Sequence, residues 1–314
     1  VPISKSIEIF GASSLNFLII YQFLRKVALA CDDVLNLMSE DLDVRREIWR
    51  SRIPIEFCFI AAELNTVDTP KASYMLVSRL TYLPLLKERL KKHIRSILNY
   101  ENNIDGIWFE FNGFFLKWYY PVGVLYDYYG AKSIPWSITV HVKNYPENEL
   151  ECDDKCNVEF IFIQTLKEAD QMKHRGHVIE NLQCHDYKQL WNNFIYERFD
   201  QFYHVSKPLS ENTIENPIRY IPIRVYLPDR FKFVQKLVKP FRISSESADG
   251  GAAPTAPTTL QDILPKFYGR WQIDQFLVIS HGISLPFETP VLWLVENLCY
   301  PDNFVHLCIC VVDR

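Results

Sequence analysis

Two stretches in which apolar residues recur at every second position enclose a middle in which they recur at helical spacing. In the first stretch, Ile55, Phe57 and Phe59 share one face of a strand predicted over Ile53 to Ile60, and Tyr74 to Ser78 is a second strand. Pro84 opens a helix through Leu98, with Leu86, Leu90, Ile94 and Ile97 on its apolar stripe. Asn112-Gly113 sits between two aromatic runs, from Ile107 and up to Trp118. Both central residues of a type I′ hairpin turn need positive φ, and this dipeptide supplies them. A short helix over Val122 to Tyr129, stopped by Gly130, leads to a strand in which Trp136, Ile138, Val140 and Val142 alternate with polar residues. Ahead of all this, Ser39 can cap a short helix through Glu40, Asp41 and Asp43. Its Leu42, Ile48 and Trp49 must dock on something for so short a helix to be stable.

From residue 143 to 205 the alternation stops, and Lys, Glu, His and Gln become frequent. Phe162, Leu166, Ala169, Met172, Val178, Ile179 and Leu182 predict a helix over Val158 to Gln183, with a break near Gly176. A second helix is predicted over Tyr187 to Tyr203, carrying Leu190, Trp191, Phe194, Phe199 and Phe202. Alternation returns at Ile221, Ile223 and Val225. Phe231, Phe233, Gln235 and Leu237 follow on a return strand after the turn at Pro228-Asp229. Ser244 to Thr259 is rich in Ser, Gly, Ala and Pro and reads as a mobile loop. Helices over Leu260 to Tyr268 and Pro290 to Tyr300 interleave with strands over Phe276 to Ser280 and Phe304 to Val312. The first stretch therefore runs strand, strand, helix, hairpin, short helix, strand, and the second strand, turn, strand, helix, strand, helix, strand. That order fits an α+β fold with two ubiquitin-like (β-grasp) domains flanking a helix-rich middle region.

Hydrophobic residues make up 48% and charged residues 23% of the 314 positions, a balance that supports folded cores. The net charge of −4 supplies no global basic field, so nucleic acid is excluded as the expected partner. The eight cysteines, at 31, 58, 152, 156, 184, 299, 308 and 310, are few for the length, and half lie in apolar runs. They read as free thiols of a reducing compartment, not a disulfide framework. Leu15 to Leu24 is too short and too interrupted for a membrane span, and Arg25 and Lys26 stand where a signal peptide tolerates no charge. Met38 is the expected start, with residues 1–37 an upstream extension outside the fold and a membrane anchor the competing reading. The expected division is a helix over 38–52, a first ubiquitin-like domain over 53–143, a helix-rich region over 144–210 and a second ubiquitin-like domain over 218–314 containing the loop 244–259.

Leu166-Lys-Glu-Ala-Asp-Gln-Met-Lys-His174, with Gln189-Leu-Trp191 and Arg198-Phe-Asp-Gln-Phe202, resembles the autophagy protein 5 family. Arg45-Arg-Glu-Ile-Trp49, Arg52-Ile-Pro54, Ile107-Trp-Phe-Glu-Phe111, Leu116-Lys-Trp118, Tyr120-Pro-Val-Gly123, Tyr220-Ile-Pro222, His281-Gly-Ile283 and Tyr300-Pro-Asp-Asn-Phe304 agree, in order along the chain from about Met38. The resemblance implies a non-catalytic scaffold that accepts the ubiquitin-like autophagy protein 12 on one lysine through an isopeptide bond. By motif position that lysine is Lys167. It further implies non-covalent binding of the coiled-coil autophagy protein 16. The conjugate would also engage the conjugating enzyme of the lipidation pathway, as a ligase-like factor for autophagy protein 8 homologues. The expected place is the cytoplasm, peripheral on the preautophagosomal membrane during autophagosome assembly. No cofactor, metal or catalytic residue is implied.

By pattern alone Lys167 is an ordinary solvated lysine, and the surrounding motif is what singles it out. Leu166 and Ala169 are expected to face the core, with Lys167, Asp170 and His174 opposite. An exposed amine on a rigid helix is a usable acceptor once it has lost its proton, because the conjugating enzyme brings the activated thioester. Lys87, Lys91, Lys92 and Arg95, with Arg89 and His93, form a basic stripe on the first long helix, read either as a solvated face or as contact with anionic lipid. The seven tryptophans are mostly core candidates. Two enzyme readings compete. Cys152, Cys156, His174 and His177 have loosely zinc-like spacing, and Cys299 with His281 or His306 could suggest a thiol hydrolase. The expectation is that neither holds. An unconjugated ubiquitin-like adaptor is the remaining alternative.

Overall fold

The computed structural model describes residues 41–64, 66, 70–98, 106–129, 134–148, 150, 155–228, 232–243, 255–268 and 276–311. The chain separates into two compact units: Arg50–Ile161, and Phe162–Arg314 together with the described residues 41–49.

In the first unit, β1 (Arg52–Phe59), β2 (Ser73–Ser78), β3 (Trp108–Phe111), β4 (Phe114–Phe115) and β5 (Trp136–His141) form one sheet in the order β2-β1-β5-β3-β4. The first and last strands lie side by side and parallel, Ile55 opposite Trp136 and Phe59 opposite Val140, and the other pairs are antiparallel. The alternation read from the sequence becomes burial: Ile53, Ile55, Phe57 and Phe59 point into the core while Arg52, Pro54, Glu56 and Cys58 do not. Helix α2 (Lys87–Leu98), entered through a 3₁₀ turn at Leu83–Leu86, buries Leu90 and Ile94 and stacks His93 on Phe59. The side chain of Ile97 lies outside the described ones. Asn112 and Gly113 take φ of 50° and 83°, as a type I′ turn requires.

Helix α3 (Val122–Tyr129) is pinned by backbone and by charge. The amides of Val122 and Gly123 donate to the carbonyls of Thr81 and Arg79. Arg79 and Asp127, both buried, form an ion pair, and the Arg79 guanidinium lies 5.4 Å from the Tyr126 ring centroid. Position 123 must be glycine because a Cβ there would sit 2.8 Å from the Arg79 carbonyl oxygen.

The second unit begins with α1 (Leu42–Arg50). Its cap is Asp41, whose carboxylate accepts the amides of Asp43 and Val44, while the expected cap Ser39 lies outside the described residues. Leu42, expected to supply an apolar contact, is exposed; Val44, Ile48 and Trp49 are buried instead. Helix α4 (Lys155–His174) carries the division between the units inside it. It ends at Arg175 and Gly176, both left-handed, where the Gly176 amide reaches the Asp170 carbonyl, and α5 (His177–Glu180) follows. The helix expected over Tyr187 to Tyr203 is two helices, α6 (Cys184–Ile195) and α7 (Phe199–Ser206). They are interrupted because Glu197 adopts φ 54°, a conformation no Gly, Asn or Pro announces in the sequence. The Glu197 carbonyl then accepts the Trp49 indole N–H, and Trp49 packs among Phe194, Phe199 and Phe202.

The second sheet joins β6 (Ile223–Tyr226), β7 (Phe233–Gln235), β10 (Phe276–Ser280), β11 (Ile283–Ser284) and β12 (Val305–Val311) in the order β11-β10-β12-β6-β7. Strands β6 and β12 are parallel and the rest antiparallel, which is the connectivity of the first sheet repeated. The correspondence reaches the small details. Bridges Tyr82 to Pro121 and Thr259 to Pro290 precede equivalent helices, and His281-Gly282 makes the same left-handed pair as Asn112-Gly113. Helices α8 (Leu260–Tyr268) and α9 (Val291–Asn297) take the places of α2 and α3. Helix α9 is shorter than expected from Pro290 to Tyr300. Strands β8 (Phe241–Ile243) and β9 (Thr255–Pro257) pair with each other, so the end of the stretch expected to be a loop is a strand; residues 244–254 lie outside the described ones. Six of the seven tryptophans are buried, and Trp271 lies outside the described residues.

Gly123→Ala is expected to lower the stability of the full chain by roughly 1–3 kcal/mol through overpacking. Asp127→Ala, which strands a buried guanidinium, should cost about 3–5 kcal/mol. Urea unfolding followed by tryptophan fluorescence measures both, and a cost for Asp127→Ala below about 1 kcal/mol, the worth of an exposed pair, would refute the assignment of Arg79–Asp127 as a buried pair.

Candidate functional site

The last three turns of α4 present polar side chains in three directions, and each is held differently. Lys167 points outward and is exposed. Its Nζ lies 5.5 Å from the centroid of the Tyr187 ring on α6, within cation–π range. The Tyr187 hydroxyl donates to the Ile179 carbonyl at 2.9 Å, and the Ile179 amide donates to the Asp170 carboxylate at 2.9 Å. A short polar chain thus ties the start of α6 to the helix that carries the lysine. Burial, and then the Asp170 charge, raises the Tyr187 phenol above its ordinary value, keeping its proton on the oxygen that donates.

Glu168, the next residue, turns toward the second sheet. One carboxylate oxygen takes a hydrogen bond from Arg224 at 2.9 Å and the other from Gln235 at 2.7 Å, so β6 and β7 each contribute one donor. The Arg224 guanidinium lies over Phe304 at 3.9 Å and Phe233 at 4.5 Å, which fixes its plane.

Lys173 points inward and is 0% exposed. Its amine donates to the Asn303 side-chain oxygen at 2.6 Å and to the Leu209 carbonyl at 3.1 Å, and Asn303 donates to that same carbonyl at 3.0 Å. Burial pulls the Lys173 amine well below the ordinary lysine range. His174, also buried, is held down to about 4, first by burial and then by the neighbouring Lys173 charge. Burial raises the Asp170 carboxyl, and Oδ1 of that group has no hydrogen-bond partner.

The expectation that Asp170 and His174 share the outward side with Lys167 is therefore corrected. They lie four and eight residues beyond Leu166, so helical geometry returns them to its side of α4, and both are buried with Leu166 and Ala169. Lys173 follows the same rule, seven residues from Leu166 and four from Ala169. That spacing was the signal by which its burial could have been read. The Glu168 clamp and the Tyr187 platform had no such signal, because they join residues brought together only by the fold.

The basic stripe on α2 in the first unit is partly outward. Arg89, Lys92 and Arg95 are exposed; Lys87 and Lys91 are half-buried, with Lys91 3.4 Å from Glu88, and His93 is half-buried against Phe59. Of the zinc-like residues, Cys152 and the Cys156 side chain lie outside the described ones, His174 is buried and His177 is exposed. Among the described residues no group of three or more His, Cys, Asp or Glu converges as a metal site, and the cysteines at 58, 184, 299, 308 and 310 are free. The Cys299 thiol, raised by burial, faces the Asn303 carbonyl at 3.5 Å. His306 bridges Tyr226 and Asp302, and His281 stacks on Tyr300. Among the described residues no helix is long and apolar enough to cross a membrane.

Three family models match. Those described as autophagy protein ATG5, UblA domain, alpha-helical bundle region and UblB domain cover residues 48–142, 156–212 and 220–309 respectively. Among curated proteins, autophagy protein 5 of Drosophila melanogaster is 36% identical over 277 residues, covering 86% of this chain and 97% of that protein. Autophagy-related protein 5 of Caenorhabditis elegans is 30% identical over 280 residues, covering 87% and 99%. The crystal structure of Kluyveromyces marxianus Atg5 superposes with a TM-score of 0.70 at 20% identity, covering 86% of this chain and all of that one.

The buried imidazole makes a pH test. Its folded value of about 4 lies below the ordinary 6.5, so its contribution to stability is full above 6.5 and is lost as pH falls toward 4. Relative to His174→Gln, the native chain is expected to lose roughly 3 kcal/mol across that window. Urea titrations of both proteins at stepped pH measure it; parallel pH profiles would contradict the placement of His174.

Proposed function

This chain belongs to the autophagy protein 5 family, and from that premise we propose that it is a non-catalytic scaffold of autophagy, conjugated through Lys167 to the ubiquitin-like autophagy protein 12. The observation that carries the reading is the contrast within one motif. Of the two lysines in Leu166 to His174, Lys173 is sealed and already donates to two oxygens, whereas Lys167 is exposed on a helix clamped one residue later through Glu168. An acceptor amine must reach a thioester carried by another protein, and only the outward one has that access.

In this reading the conjugate binds the coiled-coil autophagy protein 16 and engages the conjugating enzyme that lipidates autophagy protein 8 homologues, acting as a ligase-like factor. It works in the cytoplasm, peripherally on the preautophagosomal membrane. The outward face of α2, with Arg89, Lys92 and Arg95 exposed, supports contact with anionic lipid, at about 1 kcal/mol per basic residue near a charged surface.

Two measurements test this. Lys167→Arg is expected to abolish the covalent adduct in intact-mass analysis of the protein from cells while leaving its thermal unfolding unchanged; an adduct that persists on the variant ends the assignment. Replacing Arg89, Lys92 and Arg95 together with Ser is expected to weaken sedimentation of the protein with vesicles containing phosphatidylserine by at least tenfold at low salt. Undiminished binding would remove α2 as the lipid-facing element.

A further inference from the structure

Resting on the reading of Lys167 as the acceptor, we propose that Tyr187 is a positioning residue for the attachment step, holding the lysine amine in one orientation for the incoming thioester. The ring is itself a fixed object. Its hydroxyl is tied to the Ile179 carbonyl, the Ile179 amide is tied to Asp170, and Asp170 lies on the same helix as Lys167, three residues further on. The ring that receives the Lys167 amine is thereby held through the helix that carries it, and it travels with that helix. On the other flank, the Arg224 and Gln235 donors on Glu168 brace α4 against the second sheet. A lysine stem is otherwise free in four torsions, and ordering it before the reaction removes part of the entropic cost of reaching the transition state.

The step itself is aminolysis. The ammonium first releases a proton to solvent. The nitrogen then attacks the carbonyl carbon at the C-terminus of the ubiquitin-like modifier, a C–N bond forms, the C–S bond to the conjugating enzyme breaks, and the cysteine leaves as thiolate. No group on Tyr187 exchanges a proton or electron in this sequence; its part is to place the nitrogen.

The test is single-turnover transfer from the thioester-charged conjugating enzyme to the full chain, with rate and half-saturation read separately. Tyr187→Leu is expected to slow the saturated rate about threefold to fivefold, part of the conformational entropy of a lysine stem no longer ordered against the ring, with half-saturation unchanged. Tyr187→Phe keeps the ring face but loses the tie to Ile179, and is expected to be slowed less than Tyr187→Leu, staying within about twofold of the native rate. A purely structural role would give the two variants the same defect, since both lose the bond to Ile179. In parallel, lysines carrying ¹³C-dimethyl groups are observed by NMR. The Lys167 resonance, assigned by its loss in Lys167→Arg, is expected upfield of the other exposed lysines and back among them in Tyr187→Leu. A native-like rate for Tyr187→Leu, or a Lys167 resonance without upfield displacement in the native protein, overturns the proposal; the second readout does not depend on the folding of Tyr187→Leu. Transfer that continues on Lys167→Arg overturns the acceptor reading instead, and the two failures are distinguishable.

Discussion

A lysine amine sealed from solvent must give its hydrogens to groups inside the protein, and in the second unit that requirement fixes how α4 is turned. Lys173 finds its acceptors in the Leu209 carbonyl and the Asn303 side chain, the one at the end of the helical region and the other in the turn before β12. With that side chain committed inward, the rest of the helix follows from 3.6 residues per turn. Asp170 and His174 are carried into the interior beside it, each with the ionisation its burial imposes. Lys167, six residues earlier and about 240° around the axis, is carried outward. The exposure of one lysine is the geometric counterpart of the concealment of the other.

The same logic explains which parts of the architecture were legible in the sequence. Strands that bury one face wrote their alternation plainly, as in Ile55, Phe57 and Phe59 or Trp136, Ile138 and Val140, and the order of elements was enough to recognise two grasp-like halves. Asn112-Gly113 announced its hairpin, whereas His281-Gly282, with the same backbone, did not, because the short-range hairpin signal is Asn-Gly or Asp-Gly. The break at Glu197 was invisible for another reason: tertiary contact with Trp49, not a local breaker, accompanies it.

The candidate site was legible only in its central residue. The motif singled out Lys167, while its supports come from places far apart in the chain: Tyr187 on α6, Arg224 on β6 and Gln235 on β7. Charge periodicity misled where buried polar groups imitate a solvated face. Asp170 and His174 read as outward because they are polar, and they are inside because they lie four and eight residues from Leu166 on a helix of 3.6 residues per turn.

The order of the chain and the order of assembly differ. Helix α1 is among the first described residues, yet it packs in the second unit, after the whole of the first has intervened. The carbonyl that receives the Trp49 indole stands 148 residues downstream. At translation rates of about 5–20 residues per second, that tryptophan waits roughly 7–30 s after synthesis before its aromatic neighbours leave the ribosome. For that interval a nascent chain displays an amphipathic segment with nothing to cover it. Holding such a segment without letting it find the wrong partner falls to whatever meets the chain at the exit.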